Sequence, residues 1–102
     1  MMASLDAVTL SSAHASNDFT ARKVVKEMAP KEQYSYIAGV IEGLAVARYL
    51  KDGKAPAGMN CIYGWFYDDK KAIDAIYLAF GQYADYPPGA VIAALAKQKC
   101  GD

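Results

Sequence analysis

Chemistry in this chain would have to come from one histidine, two cysteines, eleven acids and eight tyrosines. Nucleophilic catalysis of the Ser/His or Cys/His type needs an imidazole in the folded body. The sole histidine, His14, lies in the stretch SSAHAS, ahead of every periodic segment, so that class is nearly closed. Paired carboxylates are conceivable among Glu42, Asp68, Asp69 and Asp74. Yet Asp68-Asp69 is accounted for by helix capping, and Asp74 by pairing with Lys70 or Lys71 one turn away. Two cysteines and one distant histidine cannot supply a four-ligand metal set. GVIEG, GWFYD and GQYAD lack the serial glycines and the lysine of a phosphate loop. The expectation is a protein that is not an enzyme, with no cofactor and no metal.

Cys61 and Cys100 form one bridge in an oxidising compartment or two buried thiols in a reducing one. Closing a loop of that length would stabilise the fold by about 4 kcal/mol in the chain-entropy model. Cys100 sits where a chain end would otherwise fray, which favours the bridge. Ala13-His14-Ala15 has the small-x-small form of a signal-peptidase site, although MMASLDAVTL has no positive start. Residues 1–16 are therefore expected to be a tail or the remnant of an export signal, and residues 17–102 the folded domain.

The aromatic residues offer recognition. Tyr63, Trp65, Phe66 and Tyr67 lie together in what reads as a loop, and Tyr83 and Tyr86 flank the next turn. Tyrosine and tryptophan pair an apolar body with a polar tip and are favoured at interfaces. Either Trp65 and Phe66 plug the end of a bundle, or the rings bind a protein. On the second reading Tyr63, Trp65, Tyr67, Tyr83 and Tyr86 are the contact residues.

The elements that position these rings read as helices throughout. Asn17 or Asp18 would cap a first helix over 18–29, with Phe19, Val24, Val25 and Met28 on its apolar stripe. Pro30 opens a second helix over 31–51, which stops at Asp52-Gly53. A third over 69–83 carries Ile73, Ile76, Tyr77 and Phe80, and a fourth over 88–99 carries Val91, Ile92, Leu95 and Ala96. No segment alternates with period two. The expected architecture is an all-α, four-helix domain without a sheet.

The stretch YSYIAGVIEGLAVARYL, residues 34–50, is too short for a membrane span and holds Glu42 at its middle. It reads as a central helix buried on most sides. Ser35, Gly39, Gly43 and Ala47 form a ridge spaced by four, which calls for close packing because interior glycine costs about 1 kcal/mol. The ridge could meet the first or third helix, a second copy of the chain, or a partner. Glu42 and Arg48 stand about 240° apart on the helix and cannot pair with each other.

Eleven basic and eleven acidic residues cancel. With a pI near 6.5 the chain lacks the clustered positive field that nucleic acid demands.

Tyr36-x-x-Gly39-Val40-Ile41-Glu42-Gly43 resembles the Y-x-x-G-V-x-[DE]-G helix of the Rap/Tai group of type VI secretion immunity proteins. Tyr86-Pro87, Ala90, Val91, Ala94-Leu95 and Cys100 resemble that group's closing helix. The likeness runs in order over residues 20–100. It departs in the first helix, which has no cysteine, and at Lys99, where proline is common before the last cysteine. It implies a small periplasmic helical protein, often a homodimer, that occludes a peptidoglycan amidase, and it fits a Cys61–Cys100 bridge. A second class that is similar, the HdeA acid-stress chaperones, implies dimers that dissociate in strong acid and a more polar chain than this one.

Overall fold

The computed structural model describes residues 18–102, and all of the regular structure there is helical. The helices are α1 (Ala21–Glu27), α2 (Pro30–Lys51), α3 (Ala57–Asp68), α4 (Lys71–Gln82) and α5 (Pro88–Cys100). No helix among these residues is long and apolar enough to cross a membrane. The readings of residues 1–17, including His14 and Asn17, fall outside the described residues.

Among the described residues five helices stand where four were expected, and the addition is α3. Its sequence AGMNCIYGWFYD holds two glycines and an asparagine, and its run of rings looks like a loop. Met59, Ile62, Tyr63 and Phe66 nevertheless follow the i, i+3, i+4, i+7 helical spacing, and Ile62, Trp65 and Phe66 are buried. Burial of that stripe outweighs the weak local propensity. The other boundaries move by a few residues. α1 is capped by the Thr20 hydroxyl, which accepts from the Lys23 amide, instead of by Asp18. Asp69 accepts from the Lys71 amide at the head of α4.

Seven residues are too few for a helix to stand alone. α1 is held because its first amides, which no helix can satisfy internally, find carbonyls elsewhere. Ala21 N–H donates to Tyr86 and Arg22 N–H to Ala84, both at 2.9 Å, and Arg22 pairs with Asp85. Its other end is tied by Gln33, the one buried polar side chain among the described residues. The Gln33 amide donates to the carbonyls of Val25 and Met28 at 3.1 and 2.8 Å and accepts the Tyr77 hydroxyl at 2.8 Å. One side chain thereby joins α1, α2 and α4.

The core lies on one face of α2, where Gln33, Ile37, Ile41 and Ala45 are buried against α1, α3 and α5. Val24, Ile76, Phe80 and Ile92 close it from the other helices. At the far end of α2, Arg48 binds Asp52 at 2.8 Å and donates to the carbonyls of Gly101 and Cys100 at 3.0 and 3.3 Å. The side chain crosses directly over Gly58. A Cβ on that residue would stand 2.4–2.7 Å from Arg48 side-chain atoms. Beside this junction a Cys61–Cys100 bond links α3 to α5, with the Cα atoms 5.8 Å apart.

The crossing gives a test. Gly58→Ala is expected to lower stability by about 1–3 kcal/mol through overpacking. In an Arg48→Ala background the same change should become neutral or stabilising, because the obstruction is gone and alanine is the better helix former. Urea unfolding of the four proteins measures the coupling. Additive effects would show that Arg48 and Gly58 do not constrain each other.

Candidate protein-binding surface

Two aromatic groups reach solvent, and the fold places them on different elements. The first lies where α2 meets α3. Tyr34, Ala38 and Glu42 follow one another at intervals of four along an edge of α2, so they share a face. Tyr63 and Tyr67 do the same on α3. The Tyr63 hydroxyl donates to Glu42 Oε1 at 3.0 Å, and the Tyr63 and Tyr67 rings stand 6.2 Å apart. Beneath them the buried Phe66 meets Tyr67 edge-on at 4.9 Å and Tyr34 at 5.9 Å. Such contacts hold the rings in place while about half of Tyr34 and of Tyr67 stays exposed.

Electrostatics bind the same residues together. The Tyr63 phenol is held above the ordinary tyrosine range, first by its hydrogen bond to Glu42, then by desolvation and by the nearby charges of Glu42 and Tyr67. Tyr67 is also raised, first by desolvation and then by the charges of Glu42 and Tyr34. In both, a neighbouring carboxylate disfavours a second negative charge.

The second group is the α4–α5 connection. Tyr83 and Tyr86 pack edge to face at 5.7 Å and are 50% and 59% exposed. They rim a shallow groove of about 360 Å³ floored by Ala79, Val91, Ala94 and Leu95. Pro87 and Pro88 stiffen this connection, and Pro88 is buried.

Of the five rings expected at a partner surface, Trp65 is not available. It is only 8% exposed and belongs to the core, because α3 turns it inward with Ile62 one turn before it. Tyr63 and Tyr67 are brought together, and so are Tyr83 and Tyr86. Two members of the first group, Tyr34 and Glu42, were not assigned to it from the sequence. Their matched spacing of four was visible, but its partner edge exists only if residues 57–68 are helical.

The small-residue ridge also differs from its simplest reading. Gly39, Gly43 and Ala47 are exposed, and a Cβ built on Gly39 or Gly43 would meet no atom within 4 Å. No other described helix packs on this part of α2, so the expectation of a central helix buried on most sides is corrected. Its inner face carries the core, and its outer face, from Ser35 through Glu42 and Val46 to Leu50, is open. Ala47 borders a shallow groove between α2 and α5, lined also by Leu44 and Ala93.

Among the described residues, the histidines, cysteines and acids form no group of three that could hold a metal ion. Of the four carboxylates considered for acid–base work, Glu42 accepts from Tyr63 and Asp69 from the Lys71 amide, while Asp74 forms no ion pair with Lys70 or Lys71. No family model, curated protein or solved structure matches the chain.

Because the neutral phenol is favoured, the raised Tyr63 pKa contributes stability that is fully present below about pH 10. That contribution is lost as the pH rises from there through the folded-state pKa. NMR titration of the tyrosine ring carbons should place Tyr63 above about 10, and Glu42→Gln should bring it back toward that value. An unchanged Tyr63 titration in that variant would disprove the link.

Proposed function

We propose that this chain is an exported binding protein that works by covering another protein's active site. The observation that carries this reading is the display of half-exposed tyrosines on rigid supports, Tyr34 and Tyr67 on helices and Tyr83 and Tyr86 on a proline-stiffened turn. Rings whose backing is already ordered lose little conformational entropy on contact, which is the property of a good interface anchor. The bond between Cys61 and Cys100 supports an oxidising compartment, as a periplasmic protein would meet.

The partner class in this proposal comes from the resemblance to Rap/Tai immunity proteins. It is a peptidoglycan amidase delivered by type VI secretion, blocked by steric occlusion. The residues of that resemblance divide between two tasks here. Ile41 is buried and Tyr36 half-buried against the Phe19 ring, whereas Gly39, Glu42 and Gly43 face outward. Half of the motif therefore builds the core, and the other half is free to meet a partner.

The test is to look for a peptidoglycan amidase encoded beside this gene and to assay it with the chain. Mixing it with the oxidised chain is expected to give a stable complex and to stop turnover on peptidoglycan. Tyr67→Ala or Tyr83→Ala should each weaken the complex about tenfold, the scale of an interface anchor. Full amidase turnover with the chain in excess would rule the proposal out.

A further inference from the structure

The stretch of α2 from Gln33 to Ala47 and the stretch of α3 from Ala57 to Tyr67 carry a single charge between them, Glu42. In a chain whose charges balance, that leaves the α2–α3 face locally acidic. Glu42 is exposed, and among the described residues its carboxylate has one hydrogen bond, from Tyr63, and no ion pair. A carboxylate offers about four lone-pair positions, so most of its accepting capacity is open. The Tyr63 hydroxyl binds it, the Tyr67 ring stands 6.2 Å from that of Tyr63, and Tyr34 lies on the same edge of α2, so electron-rich rings stand beside the carboxylate.

We propose that this face docks a partner protein through one basic side chain, arginine in preference to lysine, placed against the Glu42 carboxylate and the rings of Tyr34, Tyr63 and Tyr67. The inference rests on the reading of the chain as a protein-binding domain and names the chemistry its partner must present. Arginine is favoured because its planar guanidinium can stack on a tyrosine while donating two hydrogen bonds to one carboxylate. Gly39 and Gly43 flank Glu42 without side chains, so the partner's backbone can come close to α2. Exposed Val46 and Leu50 extend the contact with apolar area. From Tyr34 to Leu50 the face runs about 24 Å along the helix, a length suited to a protein surface and not to a small molecule.

A second copy of the chain is the competing occupant, and charge speaks against it. A two-fold seam along the Gly39–Gly43 ridge would bring Glu42 toward its own symmetry mate, with no cation between Gln33 and Ala47 of α2 to separate them. A partner with a basic side chain meets no such repulsion.

The test uses N-acetyl-arginine methylamide as the probe, read by the ring signals of tyrosine-labelled protein. The expected result is saturable shifts at Tyr34, Tyr63 and Tyr67, weaker with the lysine analogue and absent with the norleucine analogue. Tyr83 and Tyr86 serve as internal references and should stay still. Glu42→Gln, on an exposed site that leaves the fold intact, should weaken binding at least about fivefold. Unsaturable shifts, equal response at Tyr83 and Tyr86, or unchanged affinity in Glu42→Gln would overturn the proposal. So would a dimer in sedimentation that Glu42→Gln tightens, since the face would then belong to a second copy. If the arginine site fails while amidase inhibition stands, only this assignment falls. If arginine binds but no amidase is inhibited, the occlusion reading falls and the site remains.

Discussion

The Arg48 guanidinium is the constraint around which the packing of α2, α3 and α5 is arranged, including the two most extensive helix contacts of the described fold. The last carbonyls of a helix have no partner of their own. In α5 these are the carbonyls of Cys100 and its neighbour Gly101, and Arg48 reaches across from α2 to satisfy them. To do so it must pass over α3 with no side chain in the way, which fixes glycine at position 58. Asp52 holds the guanidinium from behind, so the cation is compensated where it is partly buried. The covalent tie between Cys61 and Cys100 then secures the same three-helix junction by different chemistry.

Gln33 performs the complementary task at the other end of α2. Its amide accepts and donates at once, closing α1 against α2 and α4, and among the described residues no buried side-chain polar atom is left without a partner. Between Gln33 and Arg48 the inner face of α2 is wholly apolar, and those two residues set the register in which the other helices pack on it. α2 thus works as a beam with a polar fitting at each end. Its outer face meets α3 through the Glu42–Tyr63 hydrogen bond and is otherwise largely exposed.

Helices with a clean stripe were legible in the sequence. Ile76 and Phe80 in α4, and Val91, Ile92 and Ala96 in α5, occupy the core as their spacing demands. The cysteines were legible only as a choice between a bridge and two buried thiols, and it is the packing of α3 against α5 that brings Cys61 and Cys100 together. α3 was hidden by composition: glycine, asparagine and consecutive rings resemble a loop, and its stripe is decisive only once Ile62 and Phe66 have a surface to bury against. The glycine ridge showed the opposite limit. Missing side chains mark a face that permits close approach, yet spacing alone does not say whether the approach comes from inside the chain. Whole-chain charge was misleading in the same way, since a net balance conceals a face with one acid and no base.

The backbone clasp at the head of α1 makes two distant regions share one local stability. Ala21 and Arg22 give their amides to Tyr86 and Ala84, so α1 cannot loosen without freeing the turn that carries Tyr83 and Tyr86. A ligand that holds this turn would therefore also tighten the first helix, without touching it. Hydrogen exchange at the two amides and order in the tyrosine pair belong to one opening reaction. In this small domain the aromatic turn and the first helix form a single cooperative unit, although Arg22 and Asp85 lie 63 positions apart in the sequence.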